Sequence, residues 1–377
     1  MKFHIKNAEG ICIKLVPTLV VIYSFGFLAL PIATAAGGKA HNQYPGKTWS
    51  QAKSPEDVGW STQKLEIAKR YSETLDTAAM MIIDNGVIVT QWGDTSKKFG
   101  IHSCRKSLIS ALYGIAVEKR KIDLNNTLQE LGIDDNEPSL TAEEKQARVI
   151  DLLKARSGIY HPALGESQGM KAKKPQRGSH PPGSFFYYNN WDFNALGTIY
   201  EKAMKSSIFQ EFKDSIAQPL QMEDFELQDG QYARGEDSIH PVYVFRMSAR
   251  DMARFGLLYL REGAWRGKQI IPQTWVVKST TAYSVADGDA ESGYSGYGYL
   301  WWVGINGNHF PNVKLPDGSF SARGWHGHYL VVIPSLNLVI VHRTDTDLPG
   351  KNVTTDQFGN LLTMVLEARN PRKHESH

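Results

Sequence analysis

An α+β fold is predicted: an antiparallel sheet flanked by helices and completed from both ends of the chain, with an all-helical region inserted between. Three observations predict it. A helix-period stretch and an Asn-Gly hairpin precede residue 100, and β-rich runs broken by Gly, Asn or Pro follow residue 296. The block between them reads mostly as helix and loop. With 377 residues and 41% apolar content, the chain has ample material for a core of that size.

The chain opens with Lys2, Lys6 and Lys14, an apolar run over 15–32, and the small residues Ala33, Thr34, Ala35 and Ala36. A basic start, a short apolar centre and a small-residue end describe a signal peptide over 1–36, cleaved after Ala35 or Ala36, with an uncleaved membrane anchor as the alternative. The expected location is periplasmic or secreted. Removing Lys2, Lys6, Lys14 and Glu9 from 42 basic and 39 acidic side chains leaves 39 against 38. Such a balance gives no footing for nucleic acid or an acidic membrane. Cys12 leaves with the signal, and Cys104 by itself cannot form an intrachain disulfide.

Residues 37–58, with Gly37-Gly38, Pro45-Gly46 and Pro55, read as a loosely structured lead-in. One domain is expected over 59–377, its sheet region at about 59–100 and 241–377 and its helical region at about 101–240. Ser61 caps a helix in which Leu65, Ala68, Tyr71 and Leu75 recur at helical spacing. Two apolar β-rich runs around Asn85-Gly86 form a hairpin. Thr141 and Glu144 make a capping-box pattern, residues 160–183 a long Gly-, Pro- and Lys-rich surface loop, and 182–191 an aromatic, amide-rich turn into a helix through Leu196 and Tyr200. Ser248 caps a helix to Leu260. Strands are expected at 297–303, 320–324, 329–333 and 338–342, and a closing helix at 355–368.

Chemistry is concentrated at 101–118. Ser103 and Lys106 are three apart, one face of a helix, which brings an amine within reach of a hydroxyl. The same spacing occurs at Ser50/Lys53 and Ser61/Lys64, so context has to choose. Residues 108–117 carry no charge, so this helix is expected to be buried. Desolvation and the helix N-terminus both lower an ammonium pKa, which makes Lys106 a usable base. A capping serine with a snorkelling lysine is the bland alternative. Cys104 is either a small core residue or itself the nucleophile of a thiol acyltransferase.

Six segments in order resemble the β-lactamase-related serine hydrolases of the penicillin-binding and class C type, a group that includes carboxylesterases, D-amino-acid peptidases and 6-aminohexanoate-oligomer hydrolases. They are Ser103-Cys-Arg-Lys106 with its exit to Leu124; residues 149–158, with Ala155 or Arg156 where histidine is frequent; Pro182-Gly183 with Tyr188-x-Asn190; residues 248–256; residues 296–302; and Gly324-Trp-His-Gly-His-Tyr329. The resemblance covers about 60–368 and implies a β-lactamase/transpeptidase-like fold. Tyr187-x-Asn189 fits the bare pattern too, but spacing from Pro182-Gly183 favours Tyr188 and Asn190. The resemblance implies that Tyr188 shares proton transfer with Lys106, and that Asn190 hydrogen-bonds the lysine or the substrate amide. The family's Lys-Thr-Gly or His-x-Gly triplet is here Trp325-His326-Gly327, so its cation is missing or displaced, with His326, His328 or Arg323 as substitutes. This arrangement is closer to the esterase and 6-aminohexanoate-hydrolase branch.

The expected reaction is acyl transfer through Ser103 on a small-molecule ester, linear amide, D-peptide or β-lactam. The oxyanion hole is expected from the backbone N–H groups of Ser103 and His328, beside Gly327. No metal or cofactor is expected, since His-Glu-x-x-His and a glycine-rich phosphate loop are absent and His326-x-His328 alone is a weak pattern. A non-catalytic penicillin-binding-like sensor is the rival from another class.

Overall fold

The computed structural model describes residues 42–286 and 295–370, so the signal-peptide reading of 1–36 lies outside the described residues. Among these, no helix is long and apolar enough to cross a membrane. Helix α1 (Thr62–Glu73) is capped by the Ser61 hydroxyl and leads into β1 (Thr77–Asp84) and β2 (Val87–Gly93). Asn85 and Gly86 both take left-handed conformations at the hairpin, as a tight turn between right-twisting strands requires. A short β3 (Phe99–Gly100) then enters helix α2 (Arg105–Glu118).

The middle of the chain supplies α3 (Asn190–Met204), β4 (Gly230–Ala233), β5 (Val242–Met247), α4 (Ala249–Leu260) and α5 (Gln273–Ser279). The end supplies β6 (Ser284–Val285), β7 (Gly296–Tyr297), β8 (Trp302–Val303), β9 (Phe320–Gly324), β10 (His328–Ile333), β11 (Leu338–Thr344) and α6 (Thr355–Glu367). Among the described residues these form an eight-stranded sheet in the order β2-β1-β11-β10-β9-β8-β7-β6 and a small sheet β3-β5-β4. All pairings are antiparallel, and β1 pairs directly with β11, Thr77 against Thr344 through Asp84 against Leu338.

One sheet face carries Met80, Ile82, Val331 and Ile340 under α1 and α6, where Leu65, Leu361, Leu362 and Val365 are buried. The other carries Met81, Ile83, Leu330 and Val339 under α4. Gly256 lets α4 settle there, since a Cβ would lie 2.6 Å from Leu330 and 2.7 Å from Val339.

Three expectations are corrected. The strand over 297–303 is two strands, β7 and β8, that pair with each other across a turn at Gly298, because Gly298 N–H bonds the Trp301 carbonyl and Leu300 is left-handed. The helical region contains β4, four residues too short to show a period. The lead-in is not loose from residue 44 on. Arg254, fully buried in α4, donates to the carbonyls of Gly46 and Lys47, and Trp49 Nε1 donates to the Arg250 carbonyl. Ser50 and Ala52 bond Ile88 on either side of the Gln51 bridge. A buried guanidinium must spend its donors on something, and these carbonyls are part of the answer.

Helix α2 is the centre of the packing. Every residue from Arg105 to Ala116 is buried, with Tyr113 OH donating to the Leu196 carbonyl and Ser107 Oγ to the Leu300 carbonyl. At Gly114 the helix touches α5 so closely that a Cβ would lie 2.5 Å from the Trp275 ring. Gly→Ala at an open helical position gains up to about 1 kcal/mol. Here overpacking, typically about 1–3 kcal/mol, outweighs it. Gly114→Ala is therefore expected to lower the stability read from denaturant unfolding, and an unchanged or raised midpoint would show that Trp275 yields freely.

Candidate active site

Ser103 sits in a 3-10 turn, His102–Cys104, that runs straight into α2. His102 is left-handed at φ 46, a conformation a non-glycine residue adopts at a cost, and it turns the chain so that Ser103 faces outward at the helix start. Three residues on, Lys106 folds back along the same face. Its Nζ lies 2.7 Å from Ser103 Oγ and 2.8 Å from Tyr188 OH. The alcohol, amine and phenol expected from the sequence thus converge.

Tyr188 arrives from the loop before α3. Arg156 holds that loop, with Nε donating to the Gly183 carbonyl and Nη2 to that of Ser184, while Gly183 and Tyr187 N–H bond the carbonyls of Arg156 and Ala155. Ser157 Oγ, one residue further, donates to Asp192 at 2.5 Å, and Asn189 Nδ2 donates to the same carboxyl oxygen at 2.8 Å. Burial holds the Asp192 carboxyl well above the usual carboxylate range, against the hydrogen bonds it accepts, and the group staples two chain segments together. Sequence reasoning gave Arg156 and Asp192 no role, because nothing local marks the partner of a residue dozens of positions away.

An aromatic shell surrounds the amine. Lys106 Nζ lies 4.7 Å from the Tyr188 ring centre and 4.8 Å from that of Phe193. Tyr188 stacks on Trp302 at 5.3 Å and meets Tyr297 edge-on at 5.9 Å. Burial, then the neighbouring Arg105 charge, holds the Lys106 amine well below its ordinary range, with Cys104 opposing. Burial pushes the Tyr188 phenol up to about 12, opposed by its hydrogen bond with Ser103. A neutral amine between a hydroxyl and a protonated phenol can accept a proton from one and be resupplied through the other.

The remaining expected residues lie elsewhere. Asn190 does not bond Lys106: its Nδ2 donates to the Gly165 carbonyl at 2.6 Å, pinning the 160–183 loop, while its Oδ1 is buried without a partner among the described residues. Tyr187 OH is turned away to the Met170 carbonyl, and Asn189 caps α3, so of the two tyrosines it is Tyr188 that reaches Lys106. His328 is 0% exposed, its ring held by Arg343 Nε at 3.0 Å and Thr346 Oγ1 at 3.2 Å. A donor with no accessible surface cannot meet a substrate oxygen, which corrects the expected oxyanion role. Gly327 likewise packs away from the site, where a Cβ would strike Thr344 and Val353. The backbone that borders Ser103 is three residues earlier: a Cβ on Gly324 would lie 2.5 Å from the Ile101 carbonyl and 3.3 Å from Cys104 Sγ. The triplet beside the nucleophile is therefore Ala322-Arg323-Gly324, not Trp325-His326-Gly327. Arg323 is stacked between the rings of Trp302 and Phe310 and donates to Ser321 Oγ, Ser295 Oγ and the His309 carbonyl.

Cys104 is 1% exposed, its thiol directed at the His328 carbonyl and pushed up to about 12 by burial. That is the environment of a core residue, not of a nucleophilic thiolate.

Residues 65–362 match the sequence profile of the Beta-lactamase family. A protein of Alkalihalophilus pseudofirmus, itself uncharacterised, is 25% identical over 341 residues, 79% of this chain and 94% of that one. Among solved structures, a Bacillus anthracis protein assigned as a 6-aminohexanoate-dimer hydrolase is similar with a TM-score of 0.61 at 21% identity, covering 86% of this chain and 88% of that one. EstCE1, a hydrolase with promiscuous acyltransferase activity, gives a TM-score of 0.57 at 14% identity over 82% and 98%. At such identities the structural likeness establishes a shared fold, an antiparallel sheet flanked by helices. Because the matched segment runs from α1 to α6 and takes in every residue that meets around Ser103, the chain belongs to the beta-lactamase family of serine hydrolases.

Proposed function

We propose that this protein hydrolyses an ester or amide bond of a small-molecule substrate through an acyl-enzyme on Ser103. The observation that carries the reading is the Lys106 amine, desolvated and within hydrogen-bond distance of both Ser103 Oγ and Tyr188 OH. Lys106 Nζ takes the Ser103 proton as Oγ bonds to the substrate carbonyl carbon. Tyr188 gives its proton to the departing oxygen or nitrogen and recovers one from Lys106. Water then attacks the acyl group, the same pair moves its proton, and Ser103 leaves with its hydroxyl restored. The oxyanion donors are assigned to Ser103 N–H, at the α2 start, and to Trp325 N–H, the first amide beyond the last ladder pair, Gly324 with His328. The names of similar solved proteins, an amide-oligomer hydrolase and a hydrolase with acyltransferase activity, support the pairing of ester and amide. We propose further that residues 1–36 act as a leader, which would give an exported location.

Ser103→Ala is expected to lower turnover of p-nitrophenyl acetate at least about 10,000-fold and to abolish labelling by a fluorophosphonate. Equal labelling of the variant would remove Ser103 from the mechanism, and a wild type that neither labels nor turns over any ester or amide would leave a binding protein.

The base must be neutral, and its pKa is depressed, so activity is present above that pKa and lost as pH falls through it. kcat/KM should rise with pH through one ionisation below the ordinary lysine value of 10.5 and show no descending limb before Tyr188 ionises at about 12. Lys106→Met should cost about 100- to 10,000-fold. A wild-type profile without that ionisation, or the same ionisation retained in Lys106→Met, would exclude Lys106 as the base.

A further inference from the structure

We infer that the Trp325 side chain is a specificity-determining wall of the site, taking the apolar chain of an uncharged ester or amide and disfavouring substrates that carry a carboxylate on that chain. This rests on the serine-hydrolase reading and narrows it to a substrate class. Trp325 is 58% exposed, among the largest apolar exposures in the described chain, although tryptophan is the side chain with most to gain from burial. It lies directly after Gly324, the residue whose backbone presses on the Ser103 turn, and its ring meets that of His102, the residue before Ser103, at 5.8 Å. The ring is propped from behind by His326, 3.6 Å between centres, and His326 is tied through Nδ1 to the Lys351 carbonyl. His102 is in turn fixed by Thr346 Oγ1 at 2.8 Å. An exposed ring held on both sides beside a nucleophile is a prepared contact surface.

Charge decides the class. Among the described residues, the cations packed around the Ser103 turn are buried, Lys106, Arg105, Arg323 and Arg343 being 2%, 5%, 7% and 0% exposed, so none presents its charge at the exposed indole. A substrate carboxylate drawn in here would lose water without gaining a counter-ion, whereas an alkyl chain gains from covering the indole.

The test compares p-nitrophenyl acetate, p-nitrophenyl octanoate and mono-p-nitrophenyl suberate, the last matching octanoate in length with a terminal carboxylate. In the wild type, kcat/KM for octanoate should exceed that for suberate at least about tenfold. Trp325→Ala should reduce the octanoate-to-acetate ratio about tenfold, mainly through KM, and Trp325→Phe should retain most of it. Thermal unfolding of both variants checks the fold. An unchanged ratio in Trp325→Ala, or a suberate ester cleaved as well as octanoate, would overturn the inference while leaving Ser103 catalysis in place. Absence of Ser103-dependent turnover of all three esters in the wild type would overturn both.

Discussion

The amine of Lys106 is buried among aromatic rings with no acidic partner among the described residues, and the architecture around it follows from that. Taking a charge out of water without a counter-ion costs far more than a single hydrogen bond returns, so burial favours the uncharged form. Helix α2 must then be apolar for its whole inner length, and the rings of Tyr188, Phe193, Tyr297 and Trp302 must close the space where water would otherwise solvate the amine. The serine is set at the helix start, where it remains reachable. In the proposed reaction the basicity of that nitrogen is set by the packing around it as much as by the three side chains that meet there.

Those packing demands explain the second layer. Tyr188 is held by a loop, and a loop holds a phenol in place only if its own backbone is tied down. Arg156 and the Ser157–Asp192–Asn189 group do this, using buried hydrogen bonds that leave almost no alternative arrangement. On the other side, Arg343, fully buried, reaches His328, the Phe99 carbonyl and the Met247 carbonyl, and so joins the main sheet to the small sheet just before the nucleophile turn.

What could be read from the sequence is what depends on near neighbours. The Ser103/Lys106 spacing, the Ser61 and Ser248 caps, the Asn85-Gly86 turn and the uncharged run after Lys106 are all local, and each lies where the residues say it should. The register of strands against the nucleophile is not local. A motif slid by three residues, from Ala322-Arg323-Gly324 to Trp325-His326-Gly327, moves every assigned contact, and one residue already swaps the sheet faces. Only the approach of Gly324 to the Ile101 carbonyl fixes that register. The expected bond from Asn190 to Lys106 is missing for a related reason, since its amide nitrogen is claimed by a loop whose path no pattern encodes. The lead-in was misread because its proline and glycine spacing gives no sign of the Arg254 donors waiting for its carbonyls.

The sheet order carries a consequence for synthesis. Strand β1, made early, finds a neighbour in β11, which is translated more than two hundred residues later, and β10 and β9 come only shortly before it. A partly made chain thus holds the nucleophile helix and an N-terminal hairpin whose long apolar edge has nothing to pair with. Such non-local closure is slow and leaves that edge open to other chains until the C-terminal strands dock. Completion of the sheet that carries the site is consequently late in the life of each molecule and waits on its final strands.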